Sequence, residues 1–158
     1  MLTRNAITIR APAGRIFQLA AEVERWPELL PHYRWVRVLA RDGNRKTVEM
    51  AAHRDGFPVK WRAVQEVRPA DGVIRFAHVR GVTKGMQVEW RLQPRAGGEI
   101  EVSITHELAW PRPLRWFADI VIGEMFVRNI AGKTLRRIKE LAEATAEDPL
   151  SRPGRGLE

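Results

Sequence analysis

Glu24-Arg25-Trp26-Pro27-Glu28-Leu29-Leu30-Pro31-His32-Tyr33 is the segment from which the rest of the chain is best read. It sets two prolines, a tryptophan, a histidine and a tyrosine between a short amphipathic stretch and a long alternating one. Pro27 and Pro31 bracket barely one helical turn, so the segment is a short, stiffened connector. Aromatics on a connector that must lie against a sheet can fill a core. They can equally form the rim of a pocket.

Upstream, Ala6–Arg10 alternates and predicts a first strand. Pro12 opens a helix, with Ile16, Phe17, Leu19, Ala20 and Val23 on its apolar face. Downstream, period-two patterning runs from Arg34 to Trp110. It is punctuated at Asp42-Gly43-Asn44, Asp55-Gly56, Pro69 to Gly72, Gly81 to Gly85 and Arg95 to Gly98, which predicts six strands in an antiparallel meander. Pro111-Arg112-Pro113 ends the last strand, and Leu114 to about Ala146 predicts one long helix. The expected organisation is one domain over 1–146 and a mobile tail over 147–158, whose terminal Leu157-Glu158 has the look of a cloning scar.

The turns also predict register. They put Met50, Trp61, His78, Met86 and Leu108 in one row, with Trp61 opposite His78. Val48, Ala63, Phe76, Val88 and His106 form the next row, and Gln65, Ile74, Trp90 and Ile104 lie beyond. The opposite face pairs Glu49 with Arg62 and Arg75 with Glu89. Trp35 falls on the outward parity, either as part of a dimer contact with Leu39 or covered by long arginines.

With 27 Lys and Arg against 19 Asp and Glu, the net charge is +8. The cross-strand pairs dilute that charge, and no basic stripe with interleaved aromatics appears, so nucleic acid is not the expected partner. The absence of cysteine excludes disulfides, a thiol nucleophile and cysteine-based metal sites. No apolar run approaches the roughly 20 residues of a membrane span, and no signal-peptide pattern opens the chain. These features fit a cytoplasmic protein. Scattered histidines give no metal constellation, and Gly81 to Gly85 joins two strands rather than opening a helix, so no phosphate cradle forms.

The order of elements predicts an α+β helix-grip architecture: a seven-stranded antiparallel sheet wrapped around a long C-terminal helix, with two short helices after the first strand. One helix fills so wide a sheet poorly, so a cavity is expected between them. The inward residues Met50, Trp61, Phe76, Met86, Val88 and Trp90, joined by His78, His106 and Gln65, suit a flexible or planar organic ligand. The histidines can also be satisfied core residues. Met125 and Asn129 lie one turn apart on the long helix and are candidates to line the cavity; Asn129 can equally face solvent.

Glu24 to Leu29 with Tyr33, Ala77-His78, Met86-x-x-x-Trp90 and Arg137-Ile138-Lys139 together resemble bacterial polyketide aromatase/cyclases of the START/Bet v 1-like (SRPBCC) superfamily. The resemblance spans roughly residues 5–145. It implies a helix-grip fold with a deep pocket, in which a linear poly-β-ketone folds and undergoes aldol closure and dehydration. Trp26 and Tyr33 match positions whose rings line that pocket. One departure stands out. Those enzymes are similar in carrying a pocket arginine on the strand that here runs Val59 to Val67, where this chain has Glu66, preceded by Val64 and Gln65, and Glu66 points outward in the register above. Arg54 and Arg80 are the nearest candidates to substitute.

Two functions follow. In an aromatase/cyclase-like enzyme, His78 or His106 serves as general base and Tyr33 as hydroxyl donor, with no cofactor. In a non-catalytic carrier of lipid or isoprenoid quinone, the same pocket only binds, and the basic surface leaves transient contact with an anionic membrane open. Homodimerisation is also left open.

Overall fold

The computed structural model describes residues 1–54, 56–109 and 124–146. Its strands are β1 (Leu2–Ile9), β2 (Tyr33–Asp42), β3 (Arg45–Arg54), β4 (Phe57–Arg68), β5 (Val73–Gly81), β6 (Gln87–Pro94) and β7 (Ile100–Glu107). Helices α1 (Ala13–Ala21) and α2 (Trp26–Leu29) stand between β1 and β2, and α3 (Glu124–Ala146) follows the sheet. The expected helix over residues 114–123 and the tail over 147–158 lie outside the described residues. Among the described residues, no helix is long and apolar enough to cross a membrane.

The seven strands form one sheet in the order β1-β7-β6-β5-β4-β3-β2. Every neighbouring pair is antiparallel. The meander brings β7 back beside β1, and α3 packs chiefly on β1 and α1. Lys139 Nζ donates to the Thr8 carbonyl at 2.8 Å, and the Arg10 backbone N–H donates to Glu143 at 3.1 Å, which pins α3 to the first strand. Ile16 and Ala20 of α1, Ile74 and Ile104 of the sheet, and Ile138 and Ala142 of α3 are buried in one cluster.

The register agrees with the turns at three of the four tested places. Met50 pairs with Trp61, Phe76 with Val88, and Val88 with His106. The β4–β5 pairing differs. Ala63, not Trp61, stands opposite His78, and Trp61 stands opposite Gly81. The connection is a 3-10 turn over Pro69–Asp71, closed by left-handed Gly72, rather than a two-residue turn. It moves the pairing by two residues, which leaves every side chain on its expected face. A bulge between Arg62 and Ala63 then absorbs one further residue.

On the outer face, Glu49–Arg62 (3.0 Å), Arg75–Glu89 (2.9 Å) and Arg45–Glu66 (2.8 Å) are ion pairs. Solvent screening keeps the contribution of each to stability small. Trp35 is half-buried, with the Arg37 guanidinium 4.6 Å and the Lys60 ammonium 5.5 Å from its ring centroid. Long basic side chains therefore cover it.

Candidate functional site

The connector is held at both ends by atoms that helix termini leave unpaired. α1 ends at Ala21, whose carbonyl accepts from Gln65 Nε2 at 2.9 Å and Lys46 Nζ at 3.3 Å. Glu24 takes Lys46 at 2.6 Å and Arg41 at 3.0 Å. Burial alone would raise that carboxyl, but these hydrogen bonds outweigh it and bring it to about 2. At the other end, Arg137 Nε of α3 donates to the Leu29 carbonyl at 3.1 Å and caps α2. So fixed, Trp26 and Tyr33 turn inward and are only 3% and 7% exposed.

Between the sheet and α3 lies a cavity of about 80 Å³. Its apolar wall is largely aromatic. Trp26 meets Tyr33 edge-on at 4.9 Å between centroids, and approaches Trp90 at 5.9 Å and Phe76 at 6.4 Å. Tyr33 meets Trp61 at 6.2 Å, and Trp61 stacks on His78 at 5.8 Å with planes 7° apart. Met50, Met86, Val88 and Ile104 extend the wall from the sheet, and Val127, Ile130 and Ala131 close it from α3. The two roles foreseen for the connector coincide: its aromatics are core and pocket wall together. Trp26 contributes only its ring, because its indole N–H donates to the Leu19 carbonyl at 3.0 Å.

Among the described residues, five polar side chains face this wall: Tyr33, His78, Thr83, His106 and Thr134. The Thr134 hydroxyl donates to the Ile130 carbonyl at 2.8 Å, which leaves only its lone pairs for other partners. His32 Nε2, 2.8 Å from that oxygen, therefore carries the shared proton. His78 Nδ1 bonds to the Thr83 hydroxyl at 2.7 Å and so ties the β5–β6 loop to the wall. His106 Nδ1 is inaccessible to solvent and has no hydrogen-bond partner among the described residues.

Burial sets the protonation of all of them. It pushes His78 down to about 4. His106 falls to about 3 through burial and the proximity of His78. His32 falls to about 4 through burial and the charge of Lys133. Burial holds the Tyr33 hydroxyl well above its ordinary range, and the nearby Thr134 opposes this only in part. At neutral pH the site thus offers neutral imidazoles and a protonated phenol.

Of the residues singled out in the sequence, Trp26, Tyr33, Met50, Trp61, Phe76, His78, Met86, Val88, Trp90 and His106 line the cavity. Gln65 does not: the open carbonyl of α1 takes its amide. Asn129 does not either, since Val127, Ile130, Ala131 and Thr134 form the inward stripe of α3 and Asn129 lies about 100° around the helix from Ile130. Met125 lies on α3, and its side chain is outside the described residues, as is that of Arg54. Glu66 points outward, bonded to Arg45 and Arg68. Sequence reasoning passed over Thr83 and Thr134. Thr134 was discoverable as the residue four after Ile130 and seven after Val127 on one helical stripe.

Three comparisons bear on this geometry. Residues 9–138 match the model of the family described as polyketide cyclase / dehydrase and lipid transport. The granaticin polyketide synthase bifunctional cyclase/dehydratase of Streptomyces violaceoruber is 29% identical over 106 residues, which are 66% of this chain and 33% of that protein. A Streptomyces cyaneus protein named as a polyketide cyclase is 33% identical over 100 residues, 61% of this chain and 65% of its own length. The chain thus spans about a third of the first relative and just under two thirds of the second. Among solved structures, the Zhui aromatase/cyclase from Streptomyces sp. R1128 superposes with a TM-score of 0.78 at 18% identity, covering 94% of this chain and 96% of that one. That likeness establishes the helix-grip fold. With most of its length matched by the family model and its cavity between sheet and helix, the chain belongs to the polyketide cyclase/dehydrase and lipid transport family.

Proposed function

We propose that the cavity takes a flexible, carbonyl-bearing hydrophobic molecule of the poly-ketone class and that the chain promotes its aldol cyclisation and dehydration. The observation that carries this reading is the pair of neutral imidazoles, His78 and His106, in the wall of a cavity that five aromatic side chains help to line; His106 Nδ1 is buried with no hydrogen-bond partner among the described residues. A buried polar atom left unpaired costs about 1–3 kcal/mol, which a ligand hydrogen bond relieves. A neutral imidazole removes an α-proton from the methylene between two carbonyls. The resulting enolate carbon bonds to a second carbonyl carbon. The new alkoxide takes a proton from Tyr33 or the imidazolium, and a second α-proton and the hydroxyl then leave as water. His78 and His106 lie far below neutral pH, so they are weak bases. Methylenes flanked by two carbonyls are acidic enough for a weak base to serve.

A cavity of about 80 Å³ is small against the roughly 300–1,000 Å³ of common ligand sites. Binding therefore requires wall side chains to move, and Met50 and Met86 are the adaptable ones.

Incubation with a poly-ketone thioester, followed by chromatography of the products, tests the reading. His106→Gln should lower turnover about 100- to 10,000-fold while ligand binding, read by tryptophan quenching, stays within a few-fold. Unchanged turnover in that variant would remove the catalytic role of His106. A second reading, a lipid or quinone carrier without chemistry, is favoured by Glu66: it stands where related enzymes look to have a pocket arginine, and it faces away from the cavity. Absence of product with every poly-ketone, together with a lipid or quinone released on denaturation and seen by mass spectrometry, would select it.

A further inference from the structure

Behind the His32–Thr134 contact, on the outside of the molecule, lies a second concavity of about 560 Å³. Its walls come from the connector, β3 and α3. His32, His53, Lys133, Arg136 and Arg137 face it, and among the described residues Glu140 is the one carboxylate that lines it. That carboxylate is 65% exposed and already bonded to Arg137 at 3.0 Å.

This arrangement differs from the rest of the basic surface. Across the sheet, arginines are matched by acidic neighbours: Arg4 with Glu101, Arg10 with Glu99, Arg45 with Glu66. In the cleft, Lys133 and Arg136 have no ion pair among the described residues. They lie on adjacent turns of α3, three positions apart, and so project to the same side of the helix. The positive field is felt locally, since Lys133 helps to hold the neighbouring His32 neutral. Unpaired cations crowded in a concave site repel one another, and an anion with several acceptor oxygens relieves that repulsion.

We infer that the cleft formed by His32, His53, Lys133, Arg136 and Arg137 is a binding site for a phosphate group. Arg136 offers planar, paired donors that match phosphate oxygens, Lys133 adds a point charge, and Arg137, whose Nε and one amino group are taken by Leu29 and Glu140, adds its charge at the rim. The phosphate can belong to a soluble phosphate ester or to a phospholipid headgroup; both present the same oxygens.

Titration with inorganic phosphate, followed through the imidazole signals of His32 and His53 in NMR spectra, tests the site. Saturable shifts of both signals are expected at low ionic strength. The double substitution Lys133→Ala with Arg136→Ala should weaken binding about tenfold or more. A control that removes two exposed cations elsewhere, Arg80→Ala with Lys84→Ala, should change it less than about twofold. Non-saturable shifts, or equal weakening by the control pair, would overturn the inference, because either shows only diffuse surface charge. Sedimentation with phosphatidylglycerol vesicles, against phosphatidylcholine ones, identifies the source. Vesicle binding that phosphate displaces and the cleft variant lacks assigns the group to a headgroup. Saturable phosphate binding with no such vesicle dependence assigns it to a soluble ester.

Discussion

Trp26 commits its one polar atom to the Leu19 carbonyl and its whole ring to Tyr33, Trp90 and Phe76. Trp26→Ala should therefore cost about 3–5 kcal/mol, read as a lowered urea midpoint with unchanged slope. Tyr33→Phe separates binding from chemistry at the same wall. Thr134 keeps its bonds to Ile130 and His32, so stability should change by no more than about 1 kcal/mol. If Tyr33 donates to a developing alkoxide, kcat should fall about 10- to 1,000-fold with little change in KM, measured by steady-state kinetics on a poly-ketone thioester. Apart from Trp26 on α2, the residues singled out in the sequence that reach the cavity do so because strand parity is robust: an error of two positions in the β4–β5 pairing left each on its expected face. Asn129 fails because helix phase is unforgiving. Each residue turns the direction by about 100°, so the inward stripe cannot be assigned until the helix is docked. Gln65 fails for another reason: only the docked structure reveals the open carbonyl at the end of α1.

At the scale of elements, the bulge in β4 and the end of β5 act as one device. Gly81 sits at φ +105°, and a Cβ there would lie 2.6 Å from the Lys60 carbonyl oxygen. Gly81→Ala meets both a strained backbone and a clash with main chain, so a loss of about 2 kcal/mol or more is expected in thermal unfolding. The same substitution should disturb the neighbouring Thr83–His78 bond, because Thr83 lies two residues on. The turn sequences revealed where strands end. They did not reveal the bulge, since Arg62 and Ala63 carry no glycine or proline signal.

For the whole molecule, the buried histidines tie stability to pH. An imidazole in the unfolded chain binds its proton near 6.5, whereas His78 in the folded state does so near 4 and His106 near 3. The unfolded chain therefore takes up protons first as pH falls. The stability in question is present above about pH 6.5 and is lost as the pH drops towards 4 and 3. Carried below the folded values, the loss is about 3 kcal/mol for His78 and about 5 kcal/mol for His106. Urea midpoints measured from pH 7.5 to 4.5 should fall steadily, and the slope should flatten in His106→Gln. A flat profile over that range would show that the histidines are not held neutral by the fold.

The pairing of β1 with β7 has a kinetic consequence. The Met1 amino group bonds to the Leu108 carbonyl, 107 residues away, and the first strand has β7 as its neighbour in the sheet. Such long-range closure places folding among the slower, non-local topologies. Since α3 is pinned to Thr8 and Arg10 of the same region, the helix cannot take its final seat until β1 has found β7. During synthesis, β1 must wait unpartnered at the edge until nearly the whole sheet has emerged, and the ligand chamber is among the last parts of the molecule to form.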